Sequence, residues 1–310
     1  MELTFENAST LFLNYEKNIL KFQTFNATKR NFKLHILPYF ENKMIKNITI
    51  QDFLDWYDKI DSLNYSAHFK NELRTKLVQM YDYLILYFDI NDNLPGKLNK
   101  FKNFNLKKQT EIKVWTITDC YKFLKVSKKD IVYNTLFEFL IFSGCRIGEA
   151  LALTFNDINN NKITIDKALS KDYLNGKQIL QTTKTDKMRF LKLDFKTKYK
   201  LKKLQKYYIK KYGYFNSDFK IFGGIEPLKR TTITRKKDKY CILANVPQIR
   251  IHDFRHTHAS ILYSLTKNVK IVQERLGHSS GSTTINTYIH IFDKENKRTT
   301  RALNMLRLIF

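Results

Sequence analysis

Two short segments, one near the middle of the sequence and one toward its C-terminal end, contain side chains suited to binding an anion. In Ser143-Gly144-Cys145-Arg146 the arginine follows a glycine turn and opens a new predicted helix. An arginine at a helix N-terminus can bind an anion that the helix dipole also favours. His252 and Arg255 are three residues apart, so on a helix they project from one face and can both donate to a phosphate. Together these side chains suggest chemistry on phosphate.

Two further segments complete the pattern. Lys184 lies in Thr182-Thr183-Lys184-Thr185, on a predicted hairpin that also carries Lys187. Leu276-Gly277-His278 follows later, and Tyr288 comes ten residues after this histidine. Each segment is common by itself, so the information lies in the order and spacing of all four.

A metal site is the other interpretation of the histidine-rich segment. His252 and His256 lie one helical turn apart, and His258 follows them. No acidic residue has the spacing of a known zinc motif, so we expect no metal site here. We assign His256, His258, Thr257 and Ser260 to helix packing or to bracing of the site.

In this order and at these intervals, from Cys145 to Tyr288, the segments resemble the signature of the tyrosine recombinase (phage integrase) family. The resemblance covers nearly the whole chain. It implies a mostly α fold with a small antiparallel β-sheet, in which an all-α, SAM-like core-binding domain precedes an α+β catalytic domain. Integrases often carry an arm-binding domain before these two. We expect that domain to be absent, because the first predicted helix begins within five residues of Met1.

The resemblance assigns Tyr288 as the nucleophile, which forms a 3′-phosphotyrosyl link and releases a 5′-hydroxyl. Arg146, Arg255, His252 and His278 would stabilise the extra negative charge on the pentacovalent phosphorus. His252 could also help to accept the tyrosine proton, because a histidine can serve either role near neutral pH.

The same resemblance gives Lys184 the role of protonating the departing 5′ oxygen, with Lys187 as the rival candidate. We prefer Lys184, since the lysine of this family sits just before the hairpin tip and is commonly followed by Thr. Glu149 matches an acidic position after the first arginine and would brace that arginine or the histidines. No cofactor is implied: the phosphotyrosine conserves bond energy, so religation needs no ATP, and arginines replace Mg²⁺.

The elements before the site form a separate helical part. Apolar residues at steps of three and four predict a helix over about Thr4 to Phe22, and a second from about Asn26 to Leu37, ended by Pro38. Thr49 is predicted to cap a third helix and Ser66 to open a long fourth. We therefore place a core-binding domain at residues 1–92 and a Lys- and Asn-rich linker at 93–111.

The catalytic domain is predicted over residues 112–310. Helices are expected at Ile117–Lys125 and Asp130–Phe142, with Gly144 ending the second, and the chain is helical again from Thr197. Alternating apolar residues predict a short antiparallel sheet from the strands Asn161–Asp166, Gly176–Thr183 and Met188–Asp194. The apolar tail Ala302–Phe310 is expected to dock onto a neighbouring protomer, as the C-terminal helix does in this family.

Charge supports a nucleic-acid partner. The 310 residues carry 55 Lys and Arg against 29 Asp and Glu, a formal charge of +26. Residues 1–100 contain 13 basic and 12 acidic residues, so the remainder of the chain carries +25. Three widely spaced cysteines suggest neither zinc binding nor disulfides. With no leader-like or membrane-spanning segment, we expect a cytoplasmic, nucleoid-associated protein.

The predicted function is site-specific recombination by the integrase of a phage or integrative element, through a Holliday junction. Its partners would be double-stranded DNA at attachment or core sites, three further copies in a homotetramer, and accessory DNA-bending or directionality factors. The alternatives are a Xer-type recombinase that resolves chromosome or plasmid dimers, a type IB topoisomerase, and a DNA-binding regulator that has lost the chemistry. The full set of catalytic-type residues argues against the regulator.

Overall fold

The computed structural model describes residues 3–102, 113–171, 178–182 and 188–277. The chain divides into two compact units, the first taking residues 1–110 with 171–178 and the second residues 111–170 with 179–310. The described residues are mostly helical with small antiparallel sheets, which confirms the predicted fold class. The predicted domain limits remain predictions.

The first unit is a set of helices around an aromatic core. Its helices are α1 (Phe5–Ile19), α2 (Phe22–Asn31), α3 (Leu37–Phe40), α4 (Ile50–Ser62) and α5 (Ala67–Phe88). Thr49 caps α4 in a capping box with Asp52, and the Ser66 hydroxyl caps α5, as predicted. The buried side chains include Phe5, Phe12, Phe32, Phe53 and Trp56.

The predicted end of the second helix is wrong. The α-helix α2 already ends at Asn31, and a π-helical turn, Phe32–Ile36, joins it to α3. Pro38 lies in the first turn of α3, where the proline's missing N–H is not needed for an intrahelical bond. The proline therefore starts a helix here.

The segment after α5 packs back onto the first unit. The Arg74 guanidinium donates to the carbonyl oxygens of Gly96 and Leu98, and Asn71 exchanges two hydrogen bonds with the backbone of Phe101. The Phe101 ring stacks on Tyr57 with 4.0 Å between ring centroids.

The second unit places helices around two small sheets. Its helices are α6 (Ile117–Ser127), α7 (Ile131–Ser143), α8 (Ile147–Ala152), α9 (Phe195–Tyr212), α10 (Arg230–Ala244), α11 (Asp253–Thr266) and α12 (Val269–Leu276). The strands are β1 (Ile158–Asn159), β2 (Lys162–Ile165), β3 (Lys167–Lys171), β4 (Gln178–Thr182) and β5 (Arg189–Lys192). The largely apolar α7 runs through the core, with Leu136, Phe137 and Leu140 buried.

Strand pairing differs from the prediction. Antiparallel pairs order one sheet β1-β2-β5, with Ile163 opposite Leu191, while β3 and β4 form a second sheet. The strands on either side of residues 183–187 thus belong to different sheets, and the expected β4–β5 hairpin pairing is not found among the described residues. Lys184 and Lys187 lie outside those residues.

Candidate active site

A glycine turn at the end of α7 places the first arginine. Gly144 has φ +68°, and its N–H donates to the Leu140 carbonyl at 3.1 Å. A Cβ here would come within 2.5 Å of His258 Cδ2 and 2.9 Å of Leu276 Cδ2. The left-handed backbone and the lack of space both require glycine, so the turn brings α7, α11 and α12 together directly before Arg146.

Glu149 joins two arginines. Its Oε2 accepts from the Arg146 backbone N–H at 2.9 Å, and its Oε1 accepts from the Arg146 guanidinium at 3.0 Å. Arg189, at the start of β5, donates from both terminal nitrogens to the same carboxylate, at 3.0 and 2.5 Å. Glu149 therefore contacts Arg146 directly, while its bracing role stays a prediction.

The second arginine ties the glycine turn to the end of α12. Arg255 is 2% exposed, and its two terminal nitrogens donate to the carbonyl oxygens of Gly144 at 2.7 Å and Leu276 at 2.8 Å. Since Leu276 lies two residues before His278 and Gly144 two residues before Arg146, this side chain connects two of the predicted site segments.

His252 lies at the N-cap position of α11 and remains accessible to solvent. Partial desolvation, followed by the charges of Arg255 and Arg146, lowers its pKa below the usual value. The effect of both arginines shows that the imidazole lies within electrostatic reach of them. At neutral pH the ring is therefore neutral and able to accept a proton.

His256 and His258 are buried on the first turns of α11, which agrees with the packing role expected for them. Burial lowers the pKa of both to about 4, and His252 adds to the effect at His256. The His258 Nδ1 lies 2.9 Å from the Ile141 carbonyl oxygen. The hydroxyl of Thr257 accepts from the backbone N–H of Trp115, which brings the start of the unit onto α11.

The contacts between Glu149 and its two arginines keep the carboxylate and the guanidinium of Arg189 charged. Burial opposes ionisation of Glu149 and is the largest effect, but the hydrogen bonds and charge of Arg189, then those of Arg146, together hold its pKa below the usual value. Burial also lowers the pKa of Arg189, but Glu149 outweighs it and the pKa is raised overall. The Cys145 thiol is buried beside this cluster, and its pKa is raised to about 11.

The structure thus brings Arg146, Glu149, His252 and Arg255 into one site. Lys184, His278 and Tyr288 lie outside the described residues, as does the apolar tail. Sequence reasoning missed Arg189. No local signal pairs it with Glu149, because the two residues are 40 positions apart in the sequence.

The described residues show no group of three or more His, Cys, Asp or Glu side chains arranged to hold a metal ion. Among them, no helix is long and apolar enough to span a membrane.

Comparison with known proteins identifies the family of this helical unit and the α+β unit that follows it. Residues 113–295 match the model of the phage integrase family, and residues 4–60 match a phage integrase N-terminal SAM-like domain. The chain belongs to the phage integrase family and is a tyrosine recombinase, a site-specific DNA recombinase.

Individual relatives agree. The ICEBs1 integrase of Bacillus subtilis (strain 168) is 28% identical over 282 residues, 88% of this chain and 75% of that protein. The chain spans about half the length of several other curated relatives.

Solved structures show the same fold. The Tn1549 transposon integrase bound to a circular intermediate DNA has a TM-score of 0.72 at 20% identity and covers 96% of this chain and 99% of that one. The lambda integrase tetramer on a Holliday junction has a TM-score of 0.64 at 16% identity, over 91% of this chain and 77% of that one.

Proposed function

We propose that this recombinase is the integrase of a mobile element, a phage or an integrative element, and that it exchanges strands at attachment or core sites through a 3′-phosphotyrosyl intermediate and a Holliday junction. The observation that carries the proposal is the placement of Arg146, His252 and Arg255 around the Gly144 turn. The relative in Bacillus subtilis carries the name of an integrative element, and the Tn1549 neighbour that of a transposon.

In the proposed mechanism the arginines bind the nonbridging oxygens of the scissile phosphate. A planar guanidinium offers paired N–H donors, and the negative charge on these oxygens grows as the phosphorus becomes pentacovalent. His278, directly after α12, would add an imidazole donor. Because Arg255 holds the end of α12 through the Leu276 carbonyl, it also positions the backbone that leads to His278.

Tyr288 would attack the phosphorus while its hydroxyl proton is accepted by His252. The lowered pKa of His252 supports this role, since a neutral imidazole is needed to accept a proton. Lys184 would then protonate the departing 5′ oxygen, and Lys187 is the alternative candidate. Rejoining reverses these steps with the 5′-hydroxyl of the partner strand, without ATP or metal.

We further propose that the active assembly is a homotetramer on double-stranded DNA, in the bacterial cytoplasm at the nucleoid, with accessory bending or directionality factors. The lambda neighbour forms a tetramer on a Holliday junction. A variant that lacks residues 302–310 should still cleave but behave as a monomer on DNA.

The test uses a DNA that the protein itself selects. A core-site duplex is recovered by repeated binding from random-sequence DNA, nicked next to each candidate exchange position, and incubated with the full-length chain in EDTA. We expect a denaturation-resistant protein–DNA adduct that is absent in Tyr288→Phe. The variant Lys184→Ala should lose adduct formation far more than Lys187→Ala. No adduct on a duplex that the protein binds would refute the proposal and favour a DNA-binding regulator, while cleavage that needs a second recombinase would favour the Xer-type alternative.

A further inference from the structure

Arg189 supplies most of the counter-charge of Glu149. It donates to both carboxylate oxygens from its two terminal nitrogens, at 3.0 and 2.5 Å, whereas the Arg146 guanidinium donates from one nitrogen at 3.0 Å. The Glu149 side chain is only 2% exposed. A buried carboxylate requires a well-placed cation, and the paired contact of Arg189 meets that requirement.

The two arginines differ in what they can reach. The Arg146 side chain is 27% exposed and the Arg189 side chain 14%. Arg146 also opens α8, next to the turn held by Arg255. An incoming phosphate can thus approach Arg146, whereas Arg189 is turned inward to the carboxylate.

The formal charges show how Arg189 changes the net charge around Glu149. Arg146, Glu149 and Arg189 together carry +1, whereas Arg146 and Glu149 alone carry zero. Without Arg189, Glu149 would neutralise the guanidinium that it orients. A neutralised guanidinium offers much less stabilisation to the charge that develops on the phosphate.

We propose that Arg189 is a positioning residue for strand cleavage: it neutralises Glu149, so that this carboxylate can orient Arg146 without cancelling its charge toward the scissile phosphate. This inference rests on the proposed function and deepens it.

Arg189 also packs against the segment that leads to His278. Gly277 has φ +68°, and a Cβ there would lie 2.9 Å from Arg189 Cδ and 3.2 Å from its Nε. The arginine stem therefore covers this glycine directly. Arg189 thus contacts both Glu149 and the residue that follows α12. Substitution of Arg189 must therefore be tested separately for the loss of charge and for the loss of packing.

The experiment measures the rate of adduct formation on the nicked, protein-selected duplex, together with DNA affinity. Arg189→Gln keeps a hydrogen-bond donor and a similar stem but removes the charge. We expect the rate to fall by about 100-fold, as for loss of a group that stabilises transition-state charge. DNA affinity should change by no more than about threefold, because affinity for DNA is shared among many basic residues and this chain has 55 Lys and Arg. Arg189→Met is the second variant should the glutamine variant not fold.

Rescue separates charge from structure. The double variant Glu149→Gln with Arg189→Gln restores the cluster to +1 and leaves an amide oxygen that can accept from Arg146. We expect it to cleave at least about tenfold faster than Arg189→Gln alone, a coupling that a mere packing role cannot produce. Lys167→Met is the matched control, since it breaks the Lys167–Asp157 ion pair of the same unit without touching Glu149.

Each result has one meaning. An Arg189→Gln rate within about threefold of the unchanged protein would overturn the inference, given the loss expected for such a group. A double variant as slow as the single would also overturn it, because Arg189 would then act as a structural brace only. An adduct missing from the unchanged protein refutes the proposed function itself, so the two failures are distinguishable.

Discussion

Acid should destabilise the second unit through His258, because this imidazole is held neutral in the fold. The side chain is buried, its Nδ1 lies 2.9 Å from the Ile141 carbonyl oxygen, and its ring fills the space that a Cβ on Gly144 would need. Burial lowers its pKa to about 4. The folded state therefore binds this proton less readily than the unfolded chain does, whose histidines titrate near 6.5.

The size of the effect follows from the two pKa values. Well above pH 6.5 neither state is protonated at this site, and the full stability is present. As the pH falls below 6.5, His258 becomes protonated in the unfolded chain but stays neutral in the folded chain. The free energy of unfolding therefore decreases until the pH falls below the folded pKa. Between pH 7 and pH 5 the free energy of unfolding should fall by about 2 kcal/mol from His258 alone. His256, with a pKa also lowered to about 4, should contribute a similar amount.

The two tryptophans allow the units to be followed separately. Trp115 packs against Phe254 and Phe123 in the second unit, and Trp56 lies in the core of the first. In a Trp56→Phe background, urea unfolding followed by Trp115 fluorescence at pH 7 and pH 5 reports the second unit alone. His258→Gln, which can donate to the Ile141 carbonyl but does not titrate, should lose about 2 kcal/mol of the pH dependence, whatever its stability at pH 7. The reasoning is refuted if the variant and its parent lose equal stability between the two pH values.

Three further predictions test the turn, the first unit and the site. Gly144→Ala should lower the free energy of unfolding of the second unit by about 2 kcal/mol or more, from the left-handed backbone and the contact with His258; an unchanged urea midpoint would contradict this. Phe101→Ala should lower the free energy of unfolding of the first unit by about 3 kcal/mol, because a buried ring stacked on Tyr57 is lost. Urea unfolding followed by Trp56 fluorescence measures this, and an unshifted midpoint would contradict the prediction. The His252 imidazole should titrate by NMR with a midpoint below the usual histidine value of about 6.5 in the free protein. A midpoint at or above that value would contradict the lowered pKa.

Local signals were sufficient for the starts of α4 and α5 and for the end of α7. Thr49 and Ser66 cap helices where their hydroxyls bond the third backbone N–H that follows, and Gly144 ends α7 in the left-handed conformation. These interactions span only a few residues, so the sequence contains them. The prediction at Pro38 was wrong because a proline can either end a helix or lie in the first turn of the next one. Here the π-helical turn before α3 places it in that first turn.

Strand partners and ion pairs could not be assigned in this way, because they join residues distant in sequence. The strands β2 and β5 were both predicted. That they pair with each other depends on how the sheets pack in the core. Glu149 and Arg189 are 40 residues apart, and nothing local marks one as the partner of the other.

The site shows the same limit in its charges. A sequence with 55 Lys and Arg supplies many candidates for contact with DNA, and residue type alone cannot separate an arginine that stays accessible from one that binds a buried carboxylate. Burial and geometry do so here: Arg189 points both terminal nitrogens at a buried acid, Arg255 points its own at two carbonyl oxygens, and Arg146 keeps the most exposed side chain of the three. A buried carboxylate requires a well-placed cation, and Arg189 supplies one to Glu149 through paired contacts.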